Sequence, residues 1–418
     1  MEPMDSRPNR TTTVVTGLTV LLITIALIVF SEHGFHATVA ALKLFFEVVF
    51  PSLLPFFIIS DVLLSTGMVH YLGVYFEPLM RPVFNVPGVG SFVFSMGLAA
   101  GYPMDAVLTA KFRQQGLCTK TEGERLLAFS NSADPLFIFG AVAVGMFGNP
   151  ALGSVLALAH YVSVLLVGLT FRFYKSREEP RSQTAEWGAR GIHGRAYDAL
   201  LRGRADDGRR LGKVLNSAIS ESVSTLFMIM SFMVLFAVLI RVLQVTGVAM
   251  VLTLPLSALF NLLGMSPHLV DATLQGFFEI DLGSAAAARA HAPLVQQLTV
   301  VSAIIAWSGL SVHGQVASVL ADTDISLKPY FVARALHAAY AAVLTVAFFP
   351  LAKTWLSGVR LPTFAAGDFR VTAAPGAALA VGVHLALLMA AGSLAILTAG
   401  ATVLAVAQRI RRGWFGFR

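Results

Sequence analysis

Trp307-Ser308-Gly309-Leu310-Ser311-Val312-His313-Gly314-Gln315 is the stretch on which the reading of this chain turns. It places two hydroxyls, an imidazole, an amide and two helix-loosening glycines between Val300–Ala306 and Val316–Leu320, which are mostly apolar. At membrane depth, polar side chains and interrupted backbone survive only where protein or a water-lined cavity surrounds them. The stretch therefore reads as a polar site inside a membrane protein.

Composition agrees. Hydrophobic residues make up 56% of the 418 positions and charged residues only 13%, against about 25% charged in a soluble domain. Such a chain cannot cover a water-facing surface, so the fold class is all-α polytopic membrane protein. The net charge of +7 does not point to nucleic acid, because the Lys and Arg residues fall in connections and near the chain ends. That is the positive-inside pattern of a membrane protein. The single cysteine, Cys118, excludes an internal disulfide.

The pattern resolves into roughly nine or ten membrane-embedded segments, two of them too short or too broken to span. Residues 1–35 carry an N-terminal transmembrane helix, with Arg7 and Arg10 ahead of the apolar run Val14–Phe30. More membrane helices follow, so this run reads as an uncleaved first span starting in the cytoplasm rather than a signal peptide. Residues 36–174 form a first repeat. In it Ser91–Ala100 is apolar, too short to span, and ends at Gly101-Tyr102-Pro103, the mark of a re-entrant helix. Lys111, Arg113, Lys120 and Arg125 follow in a short cytoplasmic connection, then Leu126–Phe147 and Ala151–Phe173 as two membrane helices. Residues 175–213 are a basic cytoplasmic linker, read as a solvated loop. Residues 214–352 form a second repeat, through Ser222–Leu243, Val248–Leu263, Gly276–Ala288, Leu298–Leu320 and Tyr330–Leu351. Residues 353–418 hold a last helix, Ala377–Ala407, and a tail with Arg409, Arg411, Arg412 and Arg418.

The two repeats match at a nearly constant offset. Ala128-Phe129-Ser130 aligns with Ala306-Trp307-Ser308, Thr66-Gly67 with Thr246-Gly247, Phe56 with Phe236, and Gly97 with Gly276. The basic connection Lys111–Arg125 has Arg289–Ala303 as its counterpart, which keeps only Arg289. Loss of the basic bias places that counterpart on the opposite side of the membrane, as an inverted repeat requires.

Ser130-Asn131-Ser132-Ala133-Asp134-Pro135 in the first half and Trp307–Gln315 in the second stand at matching places. Hydroxyls, amides and the freed N–H groups of half-helices suit a polar ligand, an anion included. Either cluster alone could be helix–helix glue. Together they make Tyr102, Ser130, Asn131, Ser132, Ser308, Ser311, His313 and Gln315 the candidate substrate-binding residues. Asp134, Glu279 and Asp281 are candidates for cation or proton coupling, because an intramembrane acid is costly without a role; interfacial exposure is the alternative, as it is for Asp61. His313 has no second ligand at metal spacing, so no metal site is expected. Arg334 and His337 lie one turn apart; Arg334 could pair with an anionic substrate, but it is expected to snorkel toward the cytoplasm. With no phosphate loop, nucleophile elbow or HExxH motif, neither catalysis nor a cofactor is expected.

Several of these motifs resemble the YlbJ family of sporulation integral membrane proteins: Gly101-Tyr102-Pro103-Met104, Leu126-Leu127-Ala128-Phe129-Ser130-Asn131, Gly140-Ala141-Val142, Gly145-Met146-Phe147-Gly148, Gly276-Phe277-Phe278-Glu279-Ile280, Ala306–His313 and Thr323-Asp324-Ile325. The resemblance runs from Val14 to Leu351. It implies two nucleoside-recognition Gate domains, arranged as two Gate-like halves with broken or re-entrant helices. It also implies a role in endospore formation, in a membrane surrounding the forespore, linked to cortex formation and to passage of dipicolinate. Asp134 departs from the family pattern, which leads one to expect a small residue there. The expected function is thus a permease for a small polar solute, dipicolinate by resemblance. The alternatives are a nucleoside or metabolite carrier and a non-transporting scaffold for cortex assembly. Expected partners are the small solute, the lipid membrane, and either a second copy of the chain or other sporulation membrane proteins, with no nucleic acid.

Overall fold

The structure, a computed structural model, describes residues 10–176 and 192–355. Among them there is no strand. The N-terminal helix α1 (Arg10–Val29) meets α2 (Ser31–Leu44) at 96°, and α2 runs through a π-helical turn into α3 (Phe50–Ser65). The corner Thr66-Gly67 then turns the chain by 83° into α4 (Met68–Phe84).

A helical hairpin follows, α5 (Gly90–Ala100) and α6 (Met104–Gln114), with Gly101-Tyr102-Pro103 at its tip. Helix α7 (Lys120–Ser130) opens with a capping box, Thr119 accepting from the Glu122 N–H while Glu122 accepts from the Thr119 N–H. It ends in a non-helical stretch, residues 131–134, with Asn131 extended, and a π-helical segment, Leu136–Met146, continues to α8 (Ala151–Phe171). The sequence reading of Leu126–Phe147 as one membrane helix is corrected here. Pro135 cannot donate a helix bond, and the Asn131, Ser132 and Asp134 side chains all bond locally or across the break. Side chains of these types compete with helical bonding.

The linker reading also needs correction. Residues 192–207 form α9 (Ile192–Asp207), which packs on the α3–α4 corner. A Cβ on Gly67 would fall on the Leu200 carbonyl, Gly203 faces the His70 ring, and Tyr75 Oη lies 2.5 Å from His193 Nδ1. The next helix, α10 (Leu211–Val245), starts inside the expected linker and is 35 residues long.

The second half repeats the plan of the first. Gly247, with φ +75° against +79° at Gly67, turns α10 into α11 (Val248–Leu262). Helices α12 (Val270–Phe278) and α13 (Ile280–Arg289) form the second hairpin, with Glu279 at its tip. They lie so close that a Cβ on Gly283 would fall on the Gly276 backbone. Helix α14 (Leu294–Trp307) then breaks at Ser308 into α15 (Gly309–Val319), and α16 (Leu327–Trp355) closes the bundle against α8 and α14. Hairpin, broken helix and long closing helix thus occur in the same order in both halves.

Length and apolarity fit membrane crossing for Ala151–Phe171, Leu211–Val245, Leu294–Val319 and Leu327–Pro350, and for the two bent pairs if each counts as one span. The lipid-facing side of α16 carries Val332 and Val343, both mostly exposed. Its inward stripe, Tyr330, Ala333, Arg334, His337, Ala341 and Thr345, is wholly buried and follows the three-and-four spacing of a helix face. The Ala377–Ala407 helix and the arginine-rich tail lie outside the described residues.

Candidate functional site

Both breaks meet at α16. Arg334 is completely buried, and its guanidinium reaches into both halves at once. Nη2 donates to the Ala128 carbonyl at 2.6 Å; Nη1 donates to the Asn131 carbonyl at 2.5 Å and, more weakly, to the Ala306 carbonyl at 3.4 Å. These carbonyls lie at or just before the breaks, where helical partners are lost. The expectation that Arg334 snorkels to the surface is therefore overturned. The planar fork of arginine suits several fixed carbonyls at once, and a lysine could not replace it.

Asn131 is the hub of the first break. Its backbone carbonyl takes Arg334, its Oδ1 accepts from Tyr330 Oη at 3.2 Å, and its Nδ2 donates to Asp105 Oδ1 at 2.9 Å. Ser130 Oγ donates to the Leu126 carbonyl at 2.7 Å and stands 3.4 Å from Asp105 Oδ2. Tyr102, at the first hairpin tip, donates to the Ile305 carbonyl at 2.7 Å and so ties that tip to the second broken helix.

Next to it lies a histidine pair, His160 on α8 and His337 on α16, with ring centres 4.6 Å apart. Arginine can only donate, so His337 Nδ1, 3.0 Å from Arg334 Nη1, accepts, and its Nε2–H donates to the His160 carbonyl at 3.3 Å. His160 Nε2 accepts from the Ala133 N–H at 3.1 Å and stands 3.2 Å from Ser132 Oγ. Its proton therefore sits on Nδ1.

The second break is sharper. Ser308 adopts φ +70°, unusual for a residue with a side chain, and Gly309 follows at +72°. Ser308 Oγ donates to the Trp307 carbonyl at 2.6 Å. His313 is packed among Trp307, Tyr330 and Phe331, with ring centres 4.4, 5.1 and 4.9 Å away. Its Nδ1–H donates to the Gly309 carbonyl at 2.6 Å, which leaves the Nε2 lone pair without a partner. Arg334 Nε is likewise unpartnered. Ser311 and Gln315 are buried on α15, within the same helix as His313.

The carboxylates divide by role. Asp134 Oδ1 accepts from the Phe137 N–H at 2.9 Å and restarts the helix after the first break. Glu279 does the same at the second hairpin tip, accepting from the Leu282 N–H at 2.9 Å, and is buried. Asp281 lies within electrostatic reach of both Glu279 and Asp134, so acids from the two halves converge. Asp61 stands apart, ion-paired to Lys111. Cys118 is buried below α7, and burial pushes its thiol up to about 12.

Sequence reasoning missed Asp105, Tyr330, His160 and the true position of Arg334. Two signals were available: Asp105 follows directly on the Gly101-Tyr102-Pro103 break, and Tyr330, Arg334 and His337 share one helix face.

The fold and the site together define a polytopic helical membrane protein built around a buried polar centre where two broken helices meet. No family model matches the chain. It is 44% identical over 336 residues, 80% of this chain and 82% of the other, to a Bacillus subtilis (strain 168) protein named sporulation integral membrane protein YlbJ. The chain belongs to this family of sporulation integral membrane proteins, as the motifs had led us to expect.

Proposed function

We propose that the chain is a permease for a small, flat, anionic solute, most simply dipicolinate, acting in a membrane around the forespore in support of cortex formation. The observation that carries this reading is Arg334, a permanent cation held without exposure between the two breaks, with Nε free of protein partners. A buried charge on this scale is costly unless a counter-charge answers it. The aromatic walls beside it, Trp307 stacked on Phe277 at 5.4 Å together with Phe331 and Tyr330 around His313, suit a planar ring. Tyr102, Ser130, Asn131, Ser132, Ser308, Ser311 and Gln315 supply the surrounding hydroxyls and amides. The Nε2 lone pair of His313 takes up a proton that accompanies the solute, and the resulting N–H donates to a solute carboxylate.

In this reading the halves are two inverted Gate-like domains, and Asp134, Glu279 and Asp281 carry the coupling proton or cation. Solute uptake into proteoliposomes tests the proposal. Dipicolinate should enter saturably, pyridine without carboxylates should not compete, and uridine should compete poorly. Strong competition by uridine would favour a nucleoside carrier, and no uptake of either would favour a scaffold.

A further inference from the structure

Away from the two breaks, a groove of about 360 Å³ opens on the side of the first half, between α3, α6 and α10. Its floor is apolar: Phe57, Met104, Val107 and Leu108 are all buried. One end is ionic, where Lys111 Nζ donates to Asp61 and, at 3.0 Å, to Glu221 Oε2. The α10 wall carries hydroxyls, and Ser220 and Ser224 are exposed beside the exposed arm of Glu221. Ser222 differs: it is 1% exposed, and among the described residues its hydroxyl has no partner. Buried polar groups are almost always hydrogen-bonded, so an unanswered hydroxyl in the wall of an open groove points to an occupant with a polar end.

The depth of the groove follows from the length of α10. Its 35 residues span about 52 Å at the usual helical rise, whereas a hydrocarbon core is about 30 Å thick. From Leu226 to Val245 the helix is apolar, with Arg241 near its far end as the only charge; Leu211–Thr225 holds Lys213, Glu221 and a run of hydroxyls. The second part therefore lies in hydrocarbon, and the groove, at Ser220–Thr225, lies in the headgroup layer beside it. The other walls agree. Phe57 to Asp61 on α3 and Met104 to Lys111 on α6 both run from apolar to ionic, and α10 runs the opposite way. Toward the membrane, Ser224 continues at helical spacing into Phe227, Ser231 and Leu235, all exposed on one face of α10. An amphiphile with its head at the ionic end thus has a lipid-facing stripe along which to lay its chains.

We propose that this groove is a lipid site for a phospholipid with a zwitterionic, amine-bearing head, of the phosphatidylethanolamine type. The ionic end presents both signs. The lipid phosphate takes the Lys111 ammonium and the Ser222 hydroxyl, and the lipid ammonium donates to Glu221. An ion pair open to water is weak and exchanges readily, so the exposed Glu221 arm changes partner at little cost. Two carboxylates to one ammonium disfavour a head that is only anionic, and a quaternary ammonium has no N–H to give Glu221. The site rests on the groove and its depth, not on the permease reading.

The test titrates the full chain, stripped of lipid in detergent, with phosphatidylethanolamine, phosphatidylglycerol and phosphatidylcholine of equal chain length, and counts bound lipid by native mass spectrometry. Phosphatidylethanolamine should bind about fivefold more tightly than the other two, the scale of one exposed ionic contact. Glu221→Gln should abolish that preference. Ser224→Trp, which fills the groove from an exposed position, should weaken binding of the ethanolamine lipid by a similar factor and leave the unfolding midpoint of the lipid-free protein unchanged. Phosphoethanolamine without chains should fail to compete at equal concentration; competition by it would replace the lipid with a soluble ligand and overturn the proposal. Equal affinity for the three lipids, tighter binding of the glycerol lipid, or a preference that survives both substitutions would overturn it as well.

Discussion

The two halves run through the same succession of elements but tie their outer ends differently. In the first, charges do the work. Arg81 joins Glu77 to Glu122, and Arg113 grips Asp324 with two bonds of 2.7 and 2.9 Å, so reaching the loop before α16. The Arg113 guanidinium holds the Asp324 carboxyl below its ordinary value. In the second half the corresponding connection is tied by amides. Gln297 Nε2 donates to the Ala290 carbonyl at 2.6 Å, and Gln296 Oε1 accepts from the Ser266 N–H at 2.8 Å. One architecture thus closes with ions at one connection and with neutral hydrogen bonds at the other. Basic residues gather on the cytoplasmic side of a membrane, so the contrast fits the inverted arrangement proposed above.

The largest expected effect comes from the residue that joins the halves. Arg334→Met would leave the Ala128 and Asn131 carbonyls unpaired, at about 1–3 kcal/mol each. The unfolding midpoint in detergent should fall steeply, and Arg334→Lys should not restore it. A variant as stable as the parent would mean that the halves hold together without this clamp.

A smaller effect separates the two hairpins. A Cβ on Gly97 would strike the Ser130 carbonyl, which is backbone, whereas one on Gly276 would strike the Ile304 side chain. Overpacking costs about 1–3 kcal/mol, and a side chain yields more readily than backbone. Gly97→Ala should therefore lower the unfolding midpoint more than Gly276→Ala. The reverse order would show that the first hairpin is the looser one.

A third test should leave stability almost untouched. Gln115 and His291 are exposed, in the ion-tied and amide-tied connections respectively. Cys118 is not a usable reporter of sidedness, because burial alone protects it. In a Cys118→Ser background, an impermeant maleimide applied to cells should label His291→Cys and miss Gln115→Cys. Labelling of both from one side would rule out the inversion.

How much of this was legible depended on whether the signal was local. The Ser308-Gly309 break, the Gly101-Tyr102-Pro103 tip and the Ser130–Asp134 cluster were readable, because polar and helix-breaking residues are costly in an apolar run unless protein or a cavity surrounds them. The Gly67 and Gly247 corners were readable as a repeated pair. Arg334 was misread because an arginine near a helix end looks the same whether it snorkels or turns inward. Only its register with Tyr330 and His337 on one face distinguishes the two. Helix α9 was missed because its polar composition reads as loop. Its order comes from packing on the α3–α4 corner, a contact between residues more than a hundred positions apart. Asp105 lay in a segment read for its flanking break rather than for its own charge.

The central claim is that the two breaks form one site for an anionic solute. Saturation binding of dipicolinate to purified protein tests it most directly, comparing the parent with a Ser308→Ala, His313→Ala double variant whose folding is checked by its unfolding midpoint. Each side chain supplies a hydrogen bond worth about 0.5–1.5 kcal/mol, so the account predicts saturable binding by the parent and a loss of roughly 5- to 150-fold in the double variant. Equal affinity in two equally folded proteins would contradict it.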